Sequence, residues 1–214
     1  MARALPVTTL FLDVGGVLLN NGWDHIARRK AAKHFQLQWA EMESLHRAAF
    51  ETHEEGKLTL DQYLDLVVFG QKRPFTQAQF SRFMCSLSKP FPEMIQLVHR
   101  LKARYGLKIV VVSNEARVVN DYRIHTFKLD RQVDFFVSSC FVHIRKPDPE
   151  IFQLALDMAQ TSARKVVYIE NTPMFVQVAE GLGIRGILHT DYQSTGAKLA
   201  SFGLPDEGTG SDQG

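Results

Sequence analysis

The chain has 214 residues, 45% hydrophobic and 22% charged, with a net charge of +2. That length supports one full core with a small accessory unit. The near-neutral charge leaves no footprint for nucleic acid or an anionic membrane, so neither is expected as a partner.

No stretch reaches the roughly 18 apolar residues of a membrane span. Met1 to Pro6 lacks the charged-then-apolar pattern of a secretory signal. Cys85 and Cys140 lie far apart and match no metal or redox spacing, so they read as reduced thiols of a cytoplasmic protein.

The first element is an apolar run, Thr8 to Leu12, closed by Asp13 and followed by Val14-Gly15-Gly16-Val17-Leu18. A carboxylate at the mouth of a buried strand, with glycines turning the backbone, is placed to act as nucleophile or cation ligand. Taken alone, Asp13 would equally serve as a turn residue or helix N-cap.

Helical spacing follows for about 70 residues. Ile26, Ala27, Ala31 and Phe35 recur at that spacing, then Met42, Leu45 and Ala49 before Gly56. Thr59 with Gln62, and Thr76 with Gln79, read as capping boxes, with Gly70 as the stop of the first of these helices. From Pro90 helix and strand alternate. The predicted strands are 109–112, 135–137, 166–169 and 186–188, and the predicted helices 92–105, one through Val118 and Tyr122, 150–160 and 174–182. Such alternation implies a mainly parallel sheet with helices on both faces. Ligands of open α/β sheets bind beyond the carboxyl ends of the strands, where Asp13, Ser113 and Glu170 all fall.

Asp13, then Ser113-Asn114, then Lys146 in Lys-Pro-Asp-Pro, then Glu170-Asn171, form an ordered constellation along nearly the whole chain. It resembles the haloacid dehalogenase-like (HAD) hydrolase superfamily, whose members carry a nucleophilic Asp, a Ser/Thr, a Lys and an acidic pair in that order. The polar, Gly-rich composition of 205–214 reads as a disordered tail; for the rest of the chain the resemblance implies a Rossmann-like core over 1–20 and 89–204 and a helical cap over 21–88 inserted after the first strand. It implies Asp13 as nucleophile, and Ser113, Asn114 and Lys146 as phosphate-binding groups, Lys146 also offsetting charge in the transition state. Mg²⁺ would be held by Asp13, the Gly15 carbonyl, Glu170 and Asn171.

Two positions depart from the family pattern. Gly15 stands where a second Asp normally serves as general acid–base, and Asn171 stands where the pair normally ends in Asp. Loss of a general acid–base typically costs about 10²–10⁴-fold in rate. A substrate with a good leaving group needs less proton assistance; otherwise Glu115, His25 or Glu170 would stand in. Trp23, His25, Arg28, Arg29, His46 and His53 are further candidates for substrate contact. The expected activity is a Mg²⁺-dependent phosphatase acting on a small phosphorylated metabolite. The alternatives are a metal-free hydrolase of the haloacid dehalogenase type and a non-catalytic binding relative.

Overall fold

Short runs of β-branched and aliphatic residues become strands β1 (Thr9–Leu12), β2 (Lys108–Ser113), β3 (Phe135–Ser138), β4 (Val166–Glu170) and β5 (Arg185–Leu188). They are seen in a computed structural model that describes residues 6–206. All pairings are parallel, in the order β3-β2-β1-β4-β5. Successive side chains leave a strand on opposite faces. Leu10, Leu12, Ile109, Val111 and Ile169 therefore share a core with Met94, Leu97 and Leu101 of α5 (Pro92–Tyr105) and Leu199 of α10 (Tyr192–Ser201). Phe11, Val110, Val112 and Tyr168 face the other way, onto α8 (Glu150–Ala159) and Ala179 of α9 (Pro173–Gly181). Each large apolar side chain buried this way contributes roughly 1.5–3 kcal/mol, which makes the sheet a rigid base for the loops at its carboxyl end.

The chain steps outward from β1 to β2 and β3, then returns to the other side of β1 for β4 and β5. Strand order thus reverses between β1 and β4, the place where doubly wound sheets open a crevice.

Between β1 and α5 lie α1 (His25–His34), α2 (Trp39–Glu54), α3 (Leu60–Val67) and α4 (Gln77–Ser86). These helices bury Ala31, Met42, Tyr63, Leu64, Phe80 and Met84 in a cluster of their own, joined by Val119 of α6 (Arg117–Thr126). Both predicted capping boxes are present, with reciprocal bonds at Thr59–Gln62 and Thr76–Gln79. Two expected inward positions are not inward: Ile26 is 55% and Leu45 39% exposed. The α3 helix ends at Val67, ahead of the Gly70 stop, where Phe69 N–H turns back to Leu64 O, the carbonyl already taken by Val68 N–H, instead of continuing the helical repeat.

The two connections into this helical block run side by side. Asn20 donates from Nδ2 to Leu87 O (2.9 Å) and accepts at Oδ1 from Lys89 N–H (2.8 Å). Beneath them the buried Arg123 guanidinium reaches Asn20 O (2.8 Å), Ser88 Oγ (3.2 Å) and Glu115 Oε1 (2.8 Å). The block is thereby fixed over the carboxyl end of the sheet.

Two helices escape the sequence pattern: the short α7 (Ser139–Val142) and α10. The latter is started by Asp191, whose side chain accepts from Ser194 N–H, but it runs through Gln193-Ser194-Thr195-Gly196 and so lacks an apolar start. The expected disorder of 205–214 falls outside the described residues from 207 onward. Pro205 and Asp206 are tied down, Asp206 by Arg100 at 2.6 Å and the Pro205 carbonyl by Tyr105 Oη at 2.9 Å. Among the described residues no helix is long and apolar enough to cross a membrane. Both cysteines are buried and unpaired; burial pushes the Cys140 thiol up to about 12.

Candidate active site

Asp13 follows β1 at the strand reversal, and its N–H donates to Ile169 O at 3.0 Å, so β4 holds the backbone of the carboxylate residue. Gly16 then adopts φ +78, where a Cβ would lie 1.9 Å from Asn171 Nδ2 and 2.9 Å from Asn21 Oδ1. Only glycine allows that turn and that approach together.

Lys146 is the centre of the site. It is 1% exposed, and its Nζ lies 3.0 Å from Asp13 Oδ1, 2.6 Å from Glu170 Oε2 and 3.0 Å from Tyr168 Oη. A buried ammonium needs such partners, because leaving water alone would cost several kcal/mol. Asn114 aims it: its Nδ2 donates to Lys146 O (2.9 Å) and its Oδ1 accepts from Lys146 N–H (2.8 Å). Asn114, expected to grip phosphate through its amide, instead clamps the lysine loop with both amide atoms. Ser113 is corrected likewise. It is 1% exposed, accepts from Val14 N–H (3.4 Å), and has its hydroxyl within reach of Glu115 Oε1 (3.4 Å) and the Asp13 carboxylate. It therefore supports Asp13 from behind.

Burial pushes the Asp13 carboxyl up to about 7, opposed by the Lys146 charge and reinforced by that of Glu170. Burial works against the Lys146 ammonium, but its two carboxylates hold it above the ordinary lysine value. Burial and the neighbouring carboxylates keep Tyr168 protonated, so its hydroxyl donates to Glu170 Oε2.

Above Asp13 opens a cavity of about 560 Å³. Gly15, Asn21, Asn171 and Thr172 line its floor, with Asn171 Nδ2 donating to Asn21 Oδ1 at 3.3 Å. Trp23, Arg28, His46, Phe50, His53 and Glu54 form the side given by the helical block. Arg28 is paired with Glu43 through two bonds (2.8 and 2.9 Å), and Arg145 with Glu51 and Glu54 (3.0 and 2.9 Å). Arg29 lies over the Trp39 ring, and His25 is exposed beside the same ring; neither lines the cavity.

A profile of haloacid dehalogenase-like hydrolases matches residues 7–183. The chain belongs to this family. Its likeness to acyl-CoA dehydrogenase family member 10 of Mus musculus is 33% identity over 102 residues, 47% of this chain and 9% of that protein. To bifunctional epoxide hydrolase 2 of Rattus norvegicus it is 28% over 161 residues, 65% of this chain and 28% of that protein. The chain therefore spans only about a tenth to a quarter of the length of these relatives. A HAD family enzyme from Bacteroides thetaiotaomicron shares the fold with a TM-score of 0.75 at 22% identity, covering 87% of this chain and 95% of that one.

In this HAD-like hydrolase the expected ligand role of Glu170 does not survive the geometry. Its Oε2 takes Lys146 and Tyr168, its Oε1 accepts Thr172 N–H at 2.9 Å, and the residue is 0% exposed. Among the described residues no group of three His, Cys, Asp or Glu is arranged to hold a metal ion. Asp13, Gly15 and Asn171 remain on the cavity floor, offering one carboxylate and two neutral oxygens. Mg²⁺ is commonly held by one or two carboxylates with substrate phosphate and water completing its shell. The donor set fits a hard cation bound jointly with an anionic substrate.

The proposed stand-ins for a second Asp fare no better. His25 is outside the cavity, Glu170 is engaged, and Glu115 is buried in its pair with Arg123. Sequence reading also missed Tyr168 and Thr172, which fix Glu170. Tyr168 lies two residues before Glu170 on β4, and that spacing puts both side chains on one face.

Burial, helped by the Arg28 charge, pushes the His46 imidazole down to about 4. Burial also lowers His53. The unfolded chain, with histidines near 6.5, binds more protons than the folded one below that value, so stability falls as pH drops from about 6.5 toward 4. Asp13 acts the opposite way over part of this window but is common to both proteins, so the thermal midpoint of His46→Gln is expected to rise relative to the parent as pH falls from about 6.5 toward 4. An unchanged slope in the variant would count against a neutral buried His46.

Proposed function

We propose that this hydrolase cleaves phosphate monoesters of small metabolites through an aspartyl-phosphate at Asp13. The observation that carries the reading is the buried Lys146 shared between Asp13 and Glu170 beneath a cavity large enough for a small metabolite. An Asp13 oxygen attacks phosphorus as the bond from phosphorus to the leaving oxygen breaks. Lys146 offsets repulsion between carboxylate and phosphoryl group and stabilises the added charge. The leaving oxygen takes its proton from solvent, since position 15 has no side chain. Water then attacks the phosphorus of the acyl-phosphate, releasing inorganic phosphate and restoring the carboxylate. When bound by Asp13, the Gly15 carbonyl and Asn171, Mg²⁺ supplies Lewis-acid neutralisation of the phosphoryl oxygens.

The similar Bacteroides enzyme has been crystallised with magnesium and inorganic phosphate, which supports this choice. Helices α1 to α4 act in this reading as a cap over 21–88, roofing the cavity. Two buried unpaired thiols fit a reducing, cytoplasmic setting. The test is hydrolysis of nitrophenyl phosphate by the purified chain with Mg²⁺ and with chelator. Turnover that rises with Mg²⁺ and vanishes with chelator is expected; Mg²⁺-independent turnover, or none on aryl, acyl and anomeric phosphates, overturns the proposal.

A further inference from the structure

Two buried imidazoles of α2, His46 and His53, are among the residues lining the cavity, and their hydrogen bonds set opposite tautomers. Tyr63, 0% exposed, receives a bond from Trp23 Nε1–H (2.9 Å) and lies 2.7 Å from His46 Nδ1. A buried phenol proton needs an acceptor, and His46 Nδ1 is the one beside it, so His46 carries its own proton on Nε2. His53 Nδ1 lies 3.2 Å from the Leu58 carbonyl. A carbonyl can only accept, so His53 is protonated at Nδ1 and Nε2 keeps a lone pair. That Nε2 is buried with no hydrogen-bond partner, in a residue only 4% exposed. Stacking of His53 on Tyr63, with ring centroids 4.3 Å apart and planes at 10°, fixes the plane of the ring, and the Leu58 contact fixes which edge carries Nδ1.

We propose that His46 and His53 form a hydroxyl-reading subsite, His46 donating and His53 accepting, which selects a polyhydroxylated phosphate such as a sugar or polyol phosphate. This rests on the phosphatase reading of the same cavity. A hydroxyl is both donor and acceptor, and so matches a pair that offers one of each. Charge points the same way: of the arginines lining the cavity, Arg28, Arg123 and Arg145 are each paired with a carboxylate, and Arg47 stands at its exposed edge. Burial keeps both imidazoles neutral, which suits a neutral partner.

The experiment is binding to the full chain carrying Asp13→Asn, so that ligand is not consumed. Glycerol phosphate is compared with propyl phosphate, and a hexitol phosphate with hexyl phosphate. The hydroxylated member of at least one pair is expected to bind about 10- to 100-fold tighter, the effect of an unmet buried acceptor. His53→Leu should bring that ratio near one, whereas His53→Gln, which retains an accepting oxygen, should restore part of it. Imidazole nitrogen shifts of the unsubstituted chain should show the Nε2–H form for His46 and the Nδ1–H form for His53. Nε2 of His53 should move when the hydroxylated ligand is added.

A merely structural role for His53 would weaken both members of a pair equally. That result overturns the subsite, as do equal affinities in the parent chain. Nitrophenyl phosphate turnover by the unsubstituted protein is read in parallel. Turnover without hydroxyl preference removes the subsite alone, and preference without turnover removes the phosphatase reading alone. If the variants fail to fold, the parent's affinity ratio and nitrogen shifts decide.

Discussion

Asp13→Asn and Lys146→Met should both abolish hydrolysis, by at least about 10³-fold for loss of the nucleophile or its charge partner, yet move stability in opposite directions. The triad holds two buried carboxylates against one ammonium. Asn at position 13 removes the surplus negative charge and leaves Lys146 paired with Glu170 at 2.6 Å. Because burial holds the Asp13 carboxyl above its ordinary value, the folded chain binds more protons than the unfolded one between the two values. Stability is therefore lost as pH rises through that window, and the asparagine variant escapes the loss. Its thermal midpoint should equal or exceed that of the parent near neutral pH, with the difference shrinking as pH falls toward the ordinary carboxylate value. Lys146→Met leaves Asp13 and Glu170 buried without a counter-charge, which costs about 3–5 kcal/mol. Thermal melts of the two variants at several pH values, beside nitrophenyl phosphate assays, measure both effects. A destabilised asparagine variant, or a lysine variant as stable as the parent, would show that the triad does not carry surplus charge.

Much of the framework is legible in the sequence because it rests on local rules. Apolar runs ending in Asp13, Ser113 and Glu170 become strands whose carboxyl ends converge, and Gly106 ends α5 in the left-handed conformation at φ 62. The order of the strands is not local, and alternation of helix and strand does not say that β4 returns beside β1. The site divides the same way. Chain position brings Glu170 and Asn114 to the right end of the sheet, but not the partners that engage their side chains, which come from β4 itself and from the Lys146 loop.

The helical block shows why polar cores are hard to read. Met42, His46, Ala49 and His53 make one buried stripe at helical spacing on α2, yet an apolar reading chooses Leu45 in place of His46. Burying an imidazole is unfavourable unless it is hydrogen-bonded. The bond that offsets this comes from Tyr63, on the next helix.

Gly15→Asp is expected to raise hydrolysis of alkyl phosphates by about 10²-fold or more, and of nitrophenyl phosphate far less, because a general acid matters in proportion to how poor the leaving group is. Among the described residues the other acids that line the cavity are all engaged. Asp24 caps α1 by accepting Ala27 N–H at 2.7 Å, Glu54 is paired with Arg145 and Glu115 with Arg123. Neutral imidazoles at His46 and His53 are poor proton donors to an alkoxide. There is room for the new side chain: a Cβ at position 15 would meet Asn21 Oδ1 at 3.3 Å and Asn21 Cα at 3.7 Å, so the amide must yield by a few tenths of an ångström. Gly16 offers no such room, which makes position 15 the place where a proton donor can be restored beside Asp13. The measurement is kcat/KM for a series of phosphates graded by leaving-group acidity. A variant whose dependence on leaving group is shallower than the parent's supports proton transfer as the missing element. Parallel dependences would mean that the parent already protonates its leaving group through another residue, and that the absence of a side chain at Gly15 is not what limits the reaction.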